Sequence, residues 1–151
     1  MSEPEHTADG MRQTAQDRMQ SGRARTFENL DVWQFAHKLT LLVYRETSKL
    51  PPDERFGLVS QMRRAAVSVP ANIAEGFKKR GPKDKVNFYN IAQGSLEELR
   101  YYLILTRDPG YLPQVDEALA RADQVGRMLY ALVATIRSED IDRRGPKETR
   151  P

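Results

Sequence analysis

Five basic side chains fall within the eight positions from Lys78 to Lys85: Lys78, Lys79, Arg80, Lys83 and Lys85, with Asp84 as the one acid among them. Cations this closely spaced can neutralise successive phosphates and release their counterions, which is sequence-independent nucleic-acid chemistry. Arg63 is a further candidate for the same surface. Few aromatic residues interleave the cluster, so little reading of bases is expected of it. A purely structural use is equally open, because Lys and Arg near a helix C-terminus complement its dipole and keep a loop soluble.

A second set carries hydrogen-bonding rather than ionic chemistry. Gln61, Arg64, Ser68, Asn72 and Glu75 recur at steps of three and four, the spacing of one stripe on a helix. Ala65, Ala71 and Gly76 flank the stripe and leave room for another backbone. Buried without partners, this row would be costly. Paired, Arg64 with Glu75 or with a carboxylate of a neighbouring copy, it would form a seam inside an assembly.

Catalytic sets are not found in the sequence. Glu3 and His6 have a metal-site spacing, but Pro4 lies between them and no second copy follows, so no metal site is predicted. His37 has no Ser, Cys or Asp at a diagnostic spacing and is read as a partly buried, hydrogen-bonded histidine. A di-metal bundle site takes Glu from two helices and Glu-x-x-His from two more, and no histidine follows His37. Glu75, Glu97 and Glu98 are read as a partner for Arg64 or as surface charges. With no phosphate loop, nucleophile elbow or zinc spacing, the chain reads as non-enzymatic and cofactor-free.

Helices must position these groups. The first opens at Leu30-Asp31, where Asp31 can cap, Gln34 can reciprocate and Leu30 with Phe35 can form a staple. Its core stripe is Val32, Phe35, Ala36, Leu39, Leu42 and Val43, widened by Trp33, His37, Leu41 and Tyr44. Pro51-Pro52 opens the second helix, which runs to about Arg80 with Met62, Ala66, Val69, Ile73 and Phe77 inward and a kink expected at Pro70. Gly81 stops it and Pro82 starts the next.

The third helix, 83 to 107, turns Phe88, Ile91, Ala92, Ser95, Leu96, Leu99, Tyr102 and Leu103 inward. Gly94-Ser95 in its middle predicts the close approach of a neighbour. Its last turns, Leu99 to Leu105, are apolar almost all round, a surplus that points to a subunit interface. The fourth helix, 113 to 136, carries Val115, Ala118, Leu119, Ala122, Val125, Leu129, Leu132, Val133 and Ile136. The pattern predicts an all-α, antiparallel up-down-up-down four-helix bundle over 27–136. A disordered arm is expected over 1–26 and a charged, fraying tail over 137–151.

A chain of 151 residues suits one domain, and its net charge of +3 is mild. Without cysteine there is no disulfide framework and no thiolate site. The opening Met1-Ser2-Glu3-Pro4-Glu5-His6 has no signal-peptide character, and no apolar run approaches the roughly 18 residues of a membrane span. A cytoplasmic protein is expected.

Four segments together resemble a known family: Phe27-x-x-Leu30-x-x-Trp33-x-x-Ala36, Gln61-Met62-Arg63-Arg64-Ala65-Ala66-x-Ser68, Ala71-Asn72-Ile73-Ala74-Glu75-Gly76 and Ile91-Ala92-x-Gly94-Ser95-x-x-Glu98-Leu99. They are similar to the four-helix-bundle proteins encoded by intervening sequences in bacterial 23S ribosomal RNA genes. Members of that family are similar in fold to the accessory protein of diversity-generating retroelements, a homopentameric barrel that binds nucleic acid and a reverse transcriptase. The resemblance implies a homopentamer, no known catalysis, and a role as accessory or scaffold protein for RNA or DNA. The alternative is an adaptor that grips a protein such as a reverse transcriptase with no direct nucleic-acid role.

Overall fold

The computed structural model describes residues 25–146, which hold four α-helices and no strand. They are α1 (Asp31–Thr47), α2 (Ser60–Lys78), α3 (Pro82–Arg107) and α4 (Val115–Arg144). The Glu3 and His6 pair, nearly all of the predicted arm and residues 147–151 lie outside the described residues. Each helix packs on its neighbours in sequence, and α1 also packs on α4. No helix of the described residues is long and apolar enough to cross a membrane.

The core is the predicted one for three helices. Val32, Ala36, Leu39, Leu42 and Val43 of α1 are buried against Met62, Ala66, Val69 and Ile73 of α2, with Ala118, Ala122, Val125, Leu129 and Val133 of α4 in the same cluster. On α3 the predicted inward residues Ala92, Leu96, Leu99 and Leu103 are buried, with Tyr89 and Thr106 completing the row, whereas Phe88, Ser95 and Tyr102 are half-buried and Ile91 is exposed. Of the outer stripe of α1, Trp33 packs against the core and the rest is uncovered. Leu41 and Tyr44 are exposed, and His37, expected to be partly buried, is exposed and stacked on Trp33 with ring centroids 4.9 Å apart.

Helix ends differ from the prediction for identifiable reasons. Asp31 is the first residue of α1 rather than its cap, because the chain enters through a 3-10 turn, Phe27–Asn29, closed by Thr26 donating its N–H to Asn29 Oδ1 at 3.3 Å. Gln34 reaches back from α1 and donates to the Glu28 carbonyl at 2.9 Å. The stretch expected to open α2 is instead a 3-10 turn, Pro52–Glu54, and a wider π-helical turn, Arg55–Val59. α4 runs eight residues past Ile136 to Arg144, so the boundary placed at 137 falls inside a helix. It stops at Gly145, whose φ of 68° suits a residue without a Cβ.

Pro70 is buried within α2 and the helix continues through it as one element. Lacking an N–H, Pro70 cannot serve the carbonyl four residues earlier, that of Ala66. The donor comes from another helix: Thr40 Oγ1 lies 3.0 Å from the Ala66 carbonyl and 2.9 Å from Ala36's own. A buried carbonyl left bare would cost about 1–3 kcal/mol, so this hydroxyl offsets what proline takes away.

A candidate nucleic-acid interface where two helices meet

α2 ends at Lys78, and the carbonyls of its final turn have no helical partner. Lys85, one turn into α3, supplies one: its Nζ donates to the Phe77 carbonyl at 2.7 Å and the Gly76 carbonyl at 3.3 Å, over the Phe77 ring at 5.5 Å. Burial holds its ammonium below the ordinary value of 10.5. Lys85 is therefore a cap on α2, a use that the expectation of a phosphate contact did not include. Two of its three N–H donors are taken by the helix end.

The turn between the helices is tight because Gly76 has no side chain. A Cβ there would lie 2.7 Å from Tyr89 Cε1 and 3.1 Å from Phe88 Cβ. Gly94, expected to admit a neighbour, has nothing within 4 Å of such an atom, so the close approach falls at Gly76 instead.

With the helix end satisfied by Lys85, the other cations of the cluster are left to solvent. Lys78, Arg80 and Lys83 are exposed or half-buried and have no hydrogen-bond or ion-pair partner among the described residues. Lys79 is exposed as well, its Nζ 4.9 Å from the centre of the Phe88 ring. Arg63 does not belong to this group. It lies fifteen residues before Lys78 on the same helix, roughly 22 Å along the axis, and donates to Thr47 Oγ1 at 3.0 Å beneath the Tyr44 ring.

A residue with no counterpart in the predicted cluster joins it from the far end of the chain. The extension of α4 brings Arg143 and Glu139 to the rim of a cleft of about 470 Å³ that Arg80 and Lys85 also line. Phe77, Leu132 and Ile136 form its apolar walls. Tyr89 lines it too, with only 2% of its surface exposed and no hydrogen-bond partner for its hydroxyl among the described residues. Gly145-Pro146 is the signal that could have found Arg143, because it marks where α4 stops.

The polar stripe of α2 divides. Its middle bridges two helices, with Ser68 Oγ 2.7 Å from Ser95 Oγ of α3 and Asn72 Nδ2 donating to Ser68 Oγ at 3.0 Å. Gln61, Arg64 and Glu75 are exposed. No ion pair joins Arg64 to Glu75, because eleven residues of helix separate them by roughly 16 Å. Arg64 instead lies where its charge acts on Tyr102 of α3. There the hydrogen bond that Tyr102 donates to Glu98 Oε1 at 2.7 Å raises the phenol's pKa, and Arg64 opposes that rise.

Among the described residues no group of three or more His, Cys, Asp or Glu could hold a metal ion. Comparison with known proteins gives two findings and one blank. The profile of the family described as 23S rRNA-intervening sequence protein matches residues 28–131. A crystal structure of a protein of unknown function from the S23 ribosomal protein family of Bacteroides thetaiotaomicron superposes with a TM-score of 0.64 at 21% identity, covering 68% of this chain and 95% of that one. Among curated proteins none matches.

Proposed function

The chain belongs to the 23S rRNA-intervening sequence protein family, and from that premise we propose that it is a non-enzymatic accessory protein that holds RNA or DNA by its phosphate backbone at the turn between α2 and α3. One observation carries this reading: Lys78, Arg80 and Lys83 stand unpaired at the turn, Arg80 lining one cleft with Arg143 of α4, while Lys85 meets the structural need at the same turn. Charge left over after a helix end has been capped is charge available to an anion.

The same proposal includes self-association into an antiparallel-bundle homopentamer in the cytoplasm. Ile91 and Leu105, two heptads apart on α3, are exposed together with Tyr101, and Leu41, Tyr44 and Val67 are exposed on α1 and α2. Covering that apolar surface with copies of the chain would repeat the basic turn around a ring and multiply its field. Light scattering of the purified protein at micromolar concentration checks this, and a monomer mass would reject it.

The binding test is retention of a random single-stranded RNA against salt. Replacing Lys78, Arg80 and Lys83 together with alanine should flatten the log–log salt slope by about 2, near 0.7 for each phosphate no longer neutralised. An unchanged slope would reject the site. The exposed apolar residues also favour a second reading, an adaptor for a protein partner such as a reverse transcriptase. Binding of that partner with no dependence on salt or on the three cations is its expected mark.

A further inference from the structure

Phosphate contacts account for the unpaired cations, but not for the cleft behind them. About 470 Å³ is within the range of small-ligand pockets, and its walls are apolar where Phe77, Leu132 and Ile136 face one another. Arg80 and Arg143 stand on the rim, from two different parts of the chain, with Glu139 as the opposing charge. Among the walls sits the Tyr89 hydroxyl, on a residue only 2% exposed and with no partner among the described residues. That hydroxyl is not sealed in the core, so its O–H is open to a polar group that enters the cleft.

We propose that this cleft receives one unstacked nucleotide of a single-stranded nucleic acid: the base between the apolar walls, its polar edge on the Tyr89 hydroxyl, and its phosphate between Arg80 and Arg143. The inference rests on the nucleic-acid reading above and narrows it to strands whose bases are free. The chemistry of the lining selects this occupant. An acyl chain would fill the walls but leave the phenol without a partner, and a bare phosphate would meet the arginines but leave the walls wet. A base joined to a phosphate satisfies all three, and a free base face is available only where the strand is unpaired.

The test measures fluorescence polarisation of the full chain with an oligoadenylate RNA hexamer, an RNA duplex of the same length and adenosine 5′-monophosphate, at one salt concentration. The hexamer should bind more tightly than the duplex. Tyr89→Phe should weaken the hexamer about fivefold, the loss of one neutral hydrogen bond, while leaving duplex affinity unchanged within about twofold. It should also leave the melting temperature unchanged or raised, because it removes a polar atom without a partner. Arg143→Gln, at an exposed position, should weaken the hexamer without touching the fold. Equal affinity for hexamer and duplex, or indifference of the hexamer to both variants, overturns the base pocket and leaves the backbone reading standing. Failure of hexamer and duplex alike overturns both. Monophosphate binding as tight as the hexamer's, and weakened alike by Tyr89→Phe, overturns the strand in favour of a free nucleotide.

Discussion

The two ends of α2 carry positive charge of the same kind and use it in opposite ways. Near its start, Arg63 donates to Thr47, lies 4.7 Å from the Tyr44 ring centre and reaches the Tyr44 carbonyl at 3.3 Å, so the guanidinium closes the C-terminal turn of α1. Past its end, Lys85 is the one side chain that takes the carbonyls, beside the Lys79 N–H on Gly76, and Lys78, Arg80 and Lys83 are left with solvent. The difference lies in what is within reach. At the first end a ring, a hydroxyl and a helix terminus surround one cation. At the last end five cations share one helix terminus.

The comparison can be broken most forcefully at Gly76. Gly76→Ala would drive a methyl group into the buried Tyr89 ring, and overpacking of this sort costs about 1–3 kcal/mol, read as a lower urea midpoint at constant slope. A midpoint equal to wild type would mean that the tight turn does not set the geometry of the basic end.

A smaller effect sharpens the contrast directly. Arg63→Gln should lose about 1 kcal/mol of stability, since the aromatic contact and the helix-capping bonds go together, and should leave RNA affinity alone. The triple replacement of Lys78, Arg80 and Lys83 should do the reverse, with stability unchanged within about 0.5 kcal/mol. Should the triple variant melt early and Arg63→Gln bind poorly, the two ends have been assigned the wrong way round.

The smallest expected effect concerns pH. Burial raises the Tyr89 phenol above its ordinary value of 10.0. Above that pH an unfolded chain gives up this proton while the folded chain still holds it, so folded stability falls as pH rises through the raised value. Tyr89→Phe removes this component, and the decline in melting temperature above pH 10.0 should become shallower. Tyr102, raised chiefly by its bond to Glu98, keeps part of the decline in place. An identical pH profile for the variant would place the Tyr89 hydroxyl in water.

Much of the fold was legible because the apolar rows of α1, α2 and α4 each have one dominant phase, as with Met62, Ala66, Val69 and Ile73. On α3 the shared row of Ala92, Leu96, Leu99 and Leu103 was legible, but its sequence offers two overlapping continuations, one through Ile91 and one through Tyr89, and it is Tyr89 that packs against Gly76. α4 was ended too soon for a different reason. Apolar periodicity stops at Ile136, but a helix ends where its backbone is interrupted, and Gly145 is the first such point. Between them the helix carries charged pairs such as Arg144 with Asp140, 3.2 Å apart.

The site was legible as a cluster of charges and not as a division of labour. Nothing in the spacing of Lys78 to Lys85 separates the lysine that caps a helix from those that do not. That depends on which side chain the α2–α3 turn carries over the Gly76 and Phe77 carbonyls. Arg143 was missed because the helix was ended at Ile136 rather than at Gly145, and Tyr89 because the inward row was drawn through Phe88 and Ile91.

One hydroxyl settles how far α1 and α2 are slid past each other. Thr40 reaches the oxygen that Pro70 cannot serve, and a shift of one turn, about 5.4 Å, would strand that oxygen in a dry interior. The two rods thus have a single depth of engagement, as a dowel fixes two planks. Any rearrangement on meeting a partner has to carry both of them together.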